Sequence, residues 1–290
     1  MIRDDRYVRA MSTDYRRESR MRWQQSAAGW QRQADRLFEA SMPVTAAMLD
    51  AIAPQPGHSI LELAAGLGDV GFLAAELVEP GGTLICSDLV PEMLSAAQER
   101  ARERGIANVR FKQIDAHSID LSAGSVDGVL CRWGFMLMAD PQAGLRETRR
   151  VLRPGGRLAL AAWARPEDNP WSTLIHRALE ERGLRERADP DAPGQFFWGP
   201  EGRIAEELAS VGFVEYEVQP VDFAMRFASF DDWWNSQMDL SASRAEILRS
   251  ADPATVAQIR DVVLDRSQPF AAPDGALVLP ARTWVAMATA

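Results

Sequence analysis

Lysine is almost missing from this chain: of 32 basic residues only Lys112 is not arginine. The skew reads as codon usage rather than chemistry. Cysteine is scarce too, with Cys86 and Cys131 the two in 290 residues. No CxxC pair exists, which excludes a zinc site and a disulfide framework. Both cysteines fall in apolar, strand-like runs, where a thiol is a small core hydrophobe. With three histidines and no His or carboxylate cluster at ligand-like spacing, no metal centre is expected. Basic charge is short as well: 41 acidic residues leave a net charge of −9. A nucleic-acid scaffold would need a basic stripe to neutralise phosphates, so that class is excluded. Long apolar runs are absent, and nothing approaches the ~18–20 residues of a membrane span. The opening MIRDDRYVRAMSTDYRRESR holds no run resembling a signal peptide. The expectation is a cytoplasmic, reduced protein.

What the chain has in quantity is core material. Hydrophobic residues at 47% and charged residues at 25% are ordinary globular usage. A chain of this length can bury about three quarters of its unfolded surface without staples. Residues 1–36 depart locally, with nine arginines against five acids, so the remainder carries −13. A solvated, partly helical tail is the expectation for that arm.

Three regions follow from the pattern. Residues 1–54 read as a helical arm or cap, closed by Pro54 and Pro56-Gly57. Residues 55–165 alternate strands, at 59–63, 83–87, 109–114, 126–131 and 156–163, with helices at 71–78, 91–105 and 141–152. Such alternation implies crossover units and a parallel sheet. Residues 166–290 complete the sheet, with strands near 213–220 and 275–290. They also insert a helical lid at about 166–204 and 229–268. The fold class is therefore α/β, a Rossmann-like doubly wound sheet of about seven strands.

Chemistry enters at ILELAAGLGDVGFLAAELV, which runs from strand through turn into helix. Gly66 and Gly68 let backbone approach a ligand closely, and the helix start offers unpaired N–H groups. Read literally, Gly66, Gly68 and Gly71 make the dinucleotide fingerprint, with Asp88 where a ribose-binding acid belongs. That keeps a nicotinamide-dependent oxidoreductase open. Glu62 argues the other way, because a carboxylate before the turn suits an ammonium group and offers a pyrophosphate nothing. Asp88 and Asp115 end the next two strands. Three acids at three strand ends suit a cationic ligand bearing ribose hydroxyls and an exocyclic amine, features that S-adenosylmethionine combines.

At these residues the chain resembles the class I S-adenosylmethionine-dependent methyltransferases. It is most similar to the branch of ubiquinone/menaquinone-biosynthesis and natural-product enzymes. The resemblance rests on LELAAGLGD, SDLVPEML, the aspartate of QIDAHSIDL, SVDGVLCRWGFMLM and LRETRRVLRPGGRLALAAW, in order over residues 57–164. One departure is Ala64, where the family most often has its first glycine. The resemblance implies that Glu62 holds the methionine ammonium and that the backbone at Ala64, Gly66 and Gly68 runs along methionine and ribose. It implies that Asp88 accepts the ribose hydroxyls, Leu89 and Met93 pack on ribose and adenine, and Asp115 and Ala116 meet the adenine edge. His117 is expected at the cofactor rim and Arg132 at the cofactor carboxylate or an anionic acceptor; both are weak catalytic candidates.

The implied reaction is methyl transfer, to O or C, onto a small lipophilic or aromatic acceptor. A protein that binds the cofactor without transferring its methyl group stays open beside it. For the acceptor, residues after the fourth and fifth strands and in the inserted helices are the candidates: Tyr15, Trp23, Trp30, Trp133, Met136, Trp163, Phe197, Trp198, Trp233, Trp234 and Met238. His58 falls at the opposite end of the sheet. His176 lies off the apolar face of its helix, where a solvated position is expected. No nucleic-acid or membrane partner is implied, and a homodimer is left open.

Overall fold

The computed structural model describes the backbone of residues 5–290 and the side chains from residue 14. Three helices open it: α1 (Asp5–Arg32), α2 (Ala34–Ala40) and α3 (Met42–Ile52). The alternating region then supplies β1 (Ser59–Glu62), α4 (Asp69–Leu77), β2 (Thr83–Asp88), α5 (Pro91–Glu103), β3 (Val109–Gln113), β4 (Val126–Arg132), α6 (Pro141–Val151) and β5 (Leu152–Trp163). After it come α7 (Pro170–Glu181), α8 (Arg203–Ser210), β6 (Val214–Phe227), α9 (Phe230–Leu240), α10 (Ala242–Ser250), α11 (Pro253–Ser267) and β7 (Leu277–Thr289). Helix starts follow cap chemistry. Asp140, Ser229 and Asp252 each accept from a backbone N–H three residues on, at α6, α9 and α11.

The seven strands form one sheet in the order β3-β2-β1-β4-β5-β7-β6. β1 to β5 run parallel, while β7 lies antiparallel to both β5 and β6. The order reverses between β1 and β4, which places the carboxyl ends of β1, β2 and β4 around the crevice where doubly wound folds take ligands. The central strands are buried on both faces, so they read as apolar runs rather than as alternation. Two expected boundaries shift. β6 extends to Phe227 because it stays paired with β7 as far as Leu277, and the single helical insertion resolves into α9, α10 and α11. Cys86 and Cys131 are free and buried. Among the described residues no helix is long and apolar enough to cross a membrane.

The arm is not a solvated tail. Ser26, Ala27 and Gly29 of α1 are buried, and its last turn is pinned to α9. Arg32 and Gln33 donate to Asp239, Arg36 donates to both oxygens of Asp232, and the Trp30 indole donates to the Leu240 carbonyl. The arm's basic charge thus neutralises acids of the lid. Arg3, Arg6 and Arg9 lie outside the described side chains. At Gly29 the two helices touch backbone to backbone, and a Cβ there would collide with the Asp239 carbonyl. Gly29→Ala should therefore push α1 off α9 and cost about 1–3 kcal/mol. A lower urea midpoint, together with faster tryptic cleavage in residues 1–36, is the expected readout.

Candidate functional site

A cavity of ≈ 330 Å³ lies at the carboxyl ends of the parallel strands, beneath α1 and the lid helices. β1 ends there in Glu62, which is 2% exposed. Its Oε2 has no hydrogen-bond partner. Burial pushes the carboxyl up to about 8; the Gly71 N–H and the Arg132 charge pull in the other direction, and Asp69 and Asp88 add to the rise. Gly71 must lack a side chain, since a Cβ would overlap Glu62 Oε2. The third glycine of the fingerprint therefore makes room for a carboxylate, a role different from phosphate binding.

The turn after β1 is held in left-handed backbone at Ala64 (φ 49°), Gly66 (φ 56°) and Gly68 (φ 82°). The conformation at Ala64 explains why glycine is usual at that position. The alanine methyl is tolerated because it faces Gly134, where any added Cβ would lie 2.7 Å away. Asp88, at the end of β2, fixes the turn: Gly66 N donates to Oδ2 and Val90 N to Oδ1, each at 2.9 Å. Each oxygen keeps a second acceptor site. Burial raises the Asp88 carboxyl despite these bonds.

Asp115, after β3, is held at about 2, through the His117 imidazole first and Arg16 further down. His117 Nδ1 lies 2.6 Å from Asp115 Oδ1, and Arg16 Nη2, from α1, donates to Oδ2 at 2.9 Å. His117 Nε2 accepts the Asp140 N–H. Both ring nitrogens are engaged, so the expected weak candidacy of His117 as a base finds no free acceptor. Arg132 donates to Ser41 and Thr45 and faces the buried Asp69. Its guanidinium lies 4.9 Å from the Trp133 ring centroid.

Beyond this acidic end the cavity becomes aromatic. Trp133 sits at φ 59° in the sharp turn after β4, and its ring stacks on Trp163 at 4.2 Å and 14°. Trp171 continues the wall, 4.9 Å from Trp163. Tyr15, Trp23, Trp30 and Met136 also line the cavity. Phe197, Trp198, Trp233, Trp234 and Met238 do not. Trp198 and Trp233 are fully buried, and these five pack among core side chains that tie the lid to the sheet. Trp233, for example, faces away and donates to the Trp171 carbonyl. His176 corrects the expectation of a solvated position: it lines the cavity and meets Arg244 Nη2 at 2.8 Å.

Several lining residues were not foreseen, among them Trp171, Ser172, Gln195, Gln237 and Arg244. Trp171 did show as apolar on its helix, but periodicity reports burial and not what the side chain is buried against. Arg244 sits in α10, a helix with almost no apolar stripe, so nothing in its pattern marks an inward face.

Residues 44–176 match the model of the ubiE/COQ5 methyltransferase family. Nocamycin O-methyltransferase of Saccharothrix syringae is 31% identical over 201 residues, covering 64% of this chain and 70% of that protein. The ubiquinone/menaquinone biosynthesis C-methyltransferase UbiE of Cellvibrio japonicus is 33% identical over 138 residues, or 47% of this chain and 54% of that one. The chain thus spans about half the length of that quinone-pathway relative. Among solved structures, the YcgJ protein of Bacillus subtilis shares the fold, with a TM-score of 0.56 at 21% identity over 84% of this chain and 97% of that one. Fold and matches together place the chain among the S-adenosylmethionine-dependent methyltransferases, and within them it belongs to the ubiE/COQ5 methyltransferase family.

The raised Glu62 carboxyl gives a signed prediction for the free protein. Its folded value lies above its unfolded one, so between about pH 4.5 and about pH 8 the unfolded chain ionises while the folded one does not. The free protein should lose stability as pH rises through that window. Urea midpoints measured across it should fall in the wild type and stay flatter in Glu62→Gln.

Proposed function

We propose that the protein transfers a methyl group from S-adenosylmethionine to a small lipophilic or aromatic acceptor by in-line displacement. The observation that carries this reading is the unpartnered Oε2 of Glu62, a residue that lines the same cavity as Asp88 and the tryptophan wall. An orphaned buried carboxylate oxygen is costly unless a donor arrives, and an ammonium group is such a donor. When bound, the cofactor supplies a methyl group activated on a sulfonium.

The chain's own residues would then divide the work. Glu62 would hold the ammonium, and the backbone at Ala64, Gly66 and Gly68 would pass along the methionine and ribose. Asp88 would accept the ribose hydroxyls through its remaining acceptor sites. Leu89 and Met93 would cover ribose and adenine, with Asp115, Ala116 and His117 at the adenine edge. Arg132, tied to Ser41, Thr45 and Asp69, would balance the acidic floor instead of reaching the cofactor carboxylate. Trp133, Trp163 and Trp171 would shape a dry wall for the acceptor, and alignment in a dry site is much of what such a displacement needs.

Calorimetric titration with S-adenosylmethionine, S-adenosylhomocysteine and NADH tests this. Both sulfur compounds should bind at micromolar concentration with NADH silent, and Asp88→Ala should weaken them on the order of tenfold or more. Binding near neutral pH should release a proton from Glu62, seen as a buffer-dependent heat that Glu62→Gln abolishes. Binding of NADH instead would return the dinucleotide reading of the glycine turn.

A further inference from the structure

The cavity wall supplied by α7, α9 and α10 carries a buried cation with no anion to match it among the described residues. Arg244 is 4% exposed and Gln237 1% exposed. Arg244 Nη1 donates to the backbone carbonyl and to Oε1 of Gln237, at 2.7 and 2.8 Å. Its Nη2 meets His176 Nε2, 2.8 Å away, and the Ser172 carbonyl. All four acceptors are neutral, and no carboxylate among the described residues pairs with Arg244. Arg185 adds further positive charge to the surroundings of both Arg244 and His176. Two buried donors remain unused: Arg244 Nε and the amide Nε2 of Gln237.

Burying a guanidinium against neutral partners costs folding free energy that a packed apolar side chain would not. In a lid otherwise built of packed aromatics, that cost is offset if an anion completes the cluster. The unsatisfied atoms fit that role because each is a donor. His176 is matched to it as well: with Nε2 taken by Arg244, its remaining ring N–H is also a donor. Gln237, His176 and Ser172 take the four Nη hydrogens and fix the guanidinium, which leaves its Nε–H as the charged donor for an oxyanion.

We propose that the acceptor carries a carboxylate, and that Arg244, Gln237 and His176 bind it and set the specificity of the site. The proposal rests on the methyltransferase reading only for the word acceptor; the anion site itself stands on the geometry of α7, α9 and α10. An acceptor anchored this way presents its apolar body to Trp163 and Trp171, which line the same cavity. Arg244 in this reading is a binding and specificity residue, and it takes no part in bond making.

The test uses matched probes: 3-hydroxy-2-naphthoate, its methyl ester and 2-naphthol, titrated by tryptophan fluorescence with and without S-adenosylhomocysteine. The acid should bind on the order of tenfold or more tighter than either neutral partner, as a charge-assisted hydrogen-bond pair warrants. Arg244→Met should remove that preference and leave the neutral probes within about twofold of wild type. Arg244→Lys should restore part of it. Should Arg244→Met fail to fold, Gln237→Leu carries the test: it removes one unused donor and the Oε1 that holds Arg244, while the Gln237 backbone carbonyl and His176 still anchor the cation, and it should lower acid binding alone. A far-ultraviolet circular dichroism spectrum matching that of the wild type certifies the fold of each variant. Equal affinity for acid and ester, an acid preference that survives in Arg244→Met, or no saturable binding of the acid at millimolar concentration would each overturn the proposal. Arg244-dependent binding of the acid without any binding of S-adenosylhomocysteine would uphold the anion site and sink the methyltransferase reading instead.

Discussion

A carboxylate buried at the end of the first strand is the constraint around which the cavity is organised. Glu62 points into space that exists only because Gly71 has no side chain and because α4 begins there. The helix start brings backbone N–H groups and the buried Asp69 alongside, and Asp69 in turn draws in Arg100 and Arg132. Arg132 reaches across to Ser41 and Thr45 of α3, so one acid at a strand end also fixes the arm to the sheet. Such a network is worth keeping at a site that binds charge, since packed apolar side chains of similar volume would stabilise the fold at least as well.

The roof is built by the same means at longer range. α1 and α2 supply cations, and the lid and the strand ends supply acids: Arg16 of α1 on Asp115, Arg32 of α1 on Asp239, and Arg36 of α2 on Asp232. Between these pairs Gln24 donates to Glu92, Ser26 accepts the Ala242 N–H and Trp30 donates to the Leu240 carbonyl, and at Gly29 the contact is bare backbone. Individually exposed ion pairs contribute little. Here their value is registry, because they set where α1 lies along α9.

How much of this was legible in the sequence depended on whether a local pattern carried it. The strand–helix alternation and the acids at 62, 88 and 115 are local, and they gave the sheet and the acidic end of the cavity. The meaning of Gly71 was not legible, since a glycine in a fingerprint looks the same whether it admits a phosphate or a neighbouring carboxylate. The aromatic residues divided along a similar line. Trp133 and Trp163 follow strands whose ends are fixed by the fold, so their direction could be read. Trp198, Trp233 and Trp234 sit on inserted elements whose orientation is decided by packing among themselves, and composition alone cannot tell which side of a lid a tryptophan faces. Arg244 shows the limit most sharply: its helix has no periodicity to reveal an inner face, and its partners come from residues 172, 176 and 237.

The Arg16–Asp115 pair makes the roof answerable to whatever else seeks that aspartate. Asp115 Oδ1 accepts twice from His117, and Oδ2 accepts from Arg16 with one acceptor site left over. A donor that arrives at Oδ2 therefore shares that oxygen with Arg16, while the neighbouring Tyr15 keeps α1 tied to the Leu137 and Pro193 carbonyls. Charge that reaches Asp115 is felt directly by the arm, because Arg16 of α1 is paired with the same carboxylate.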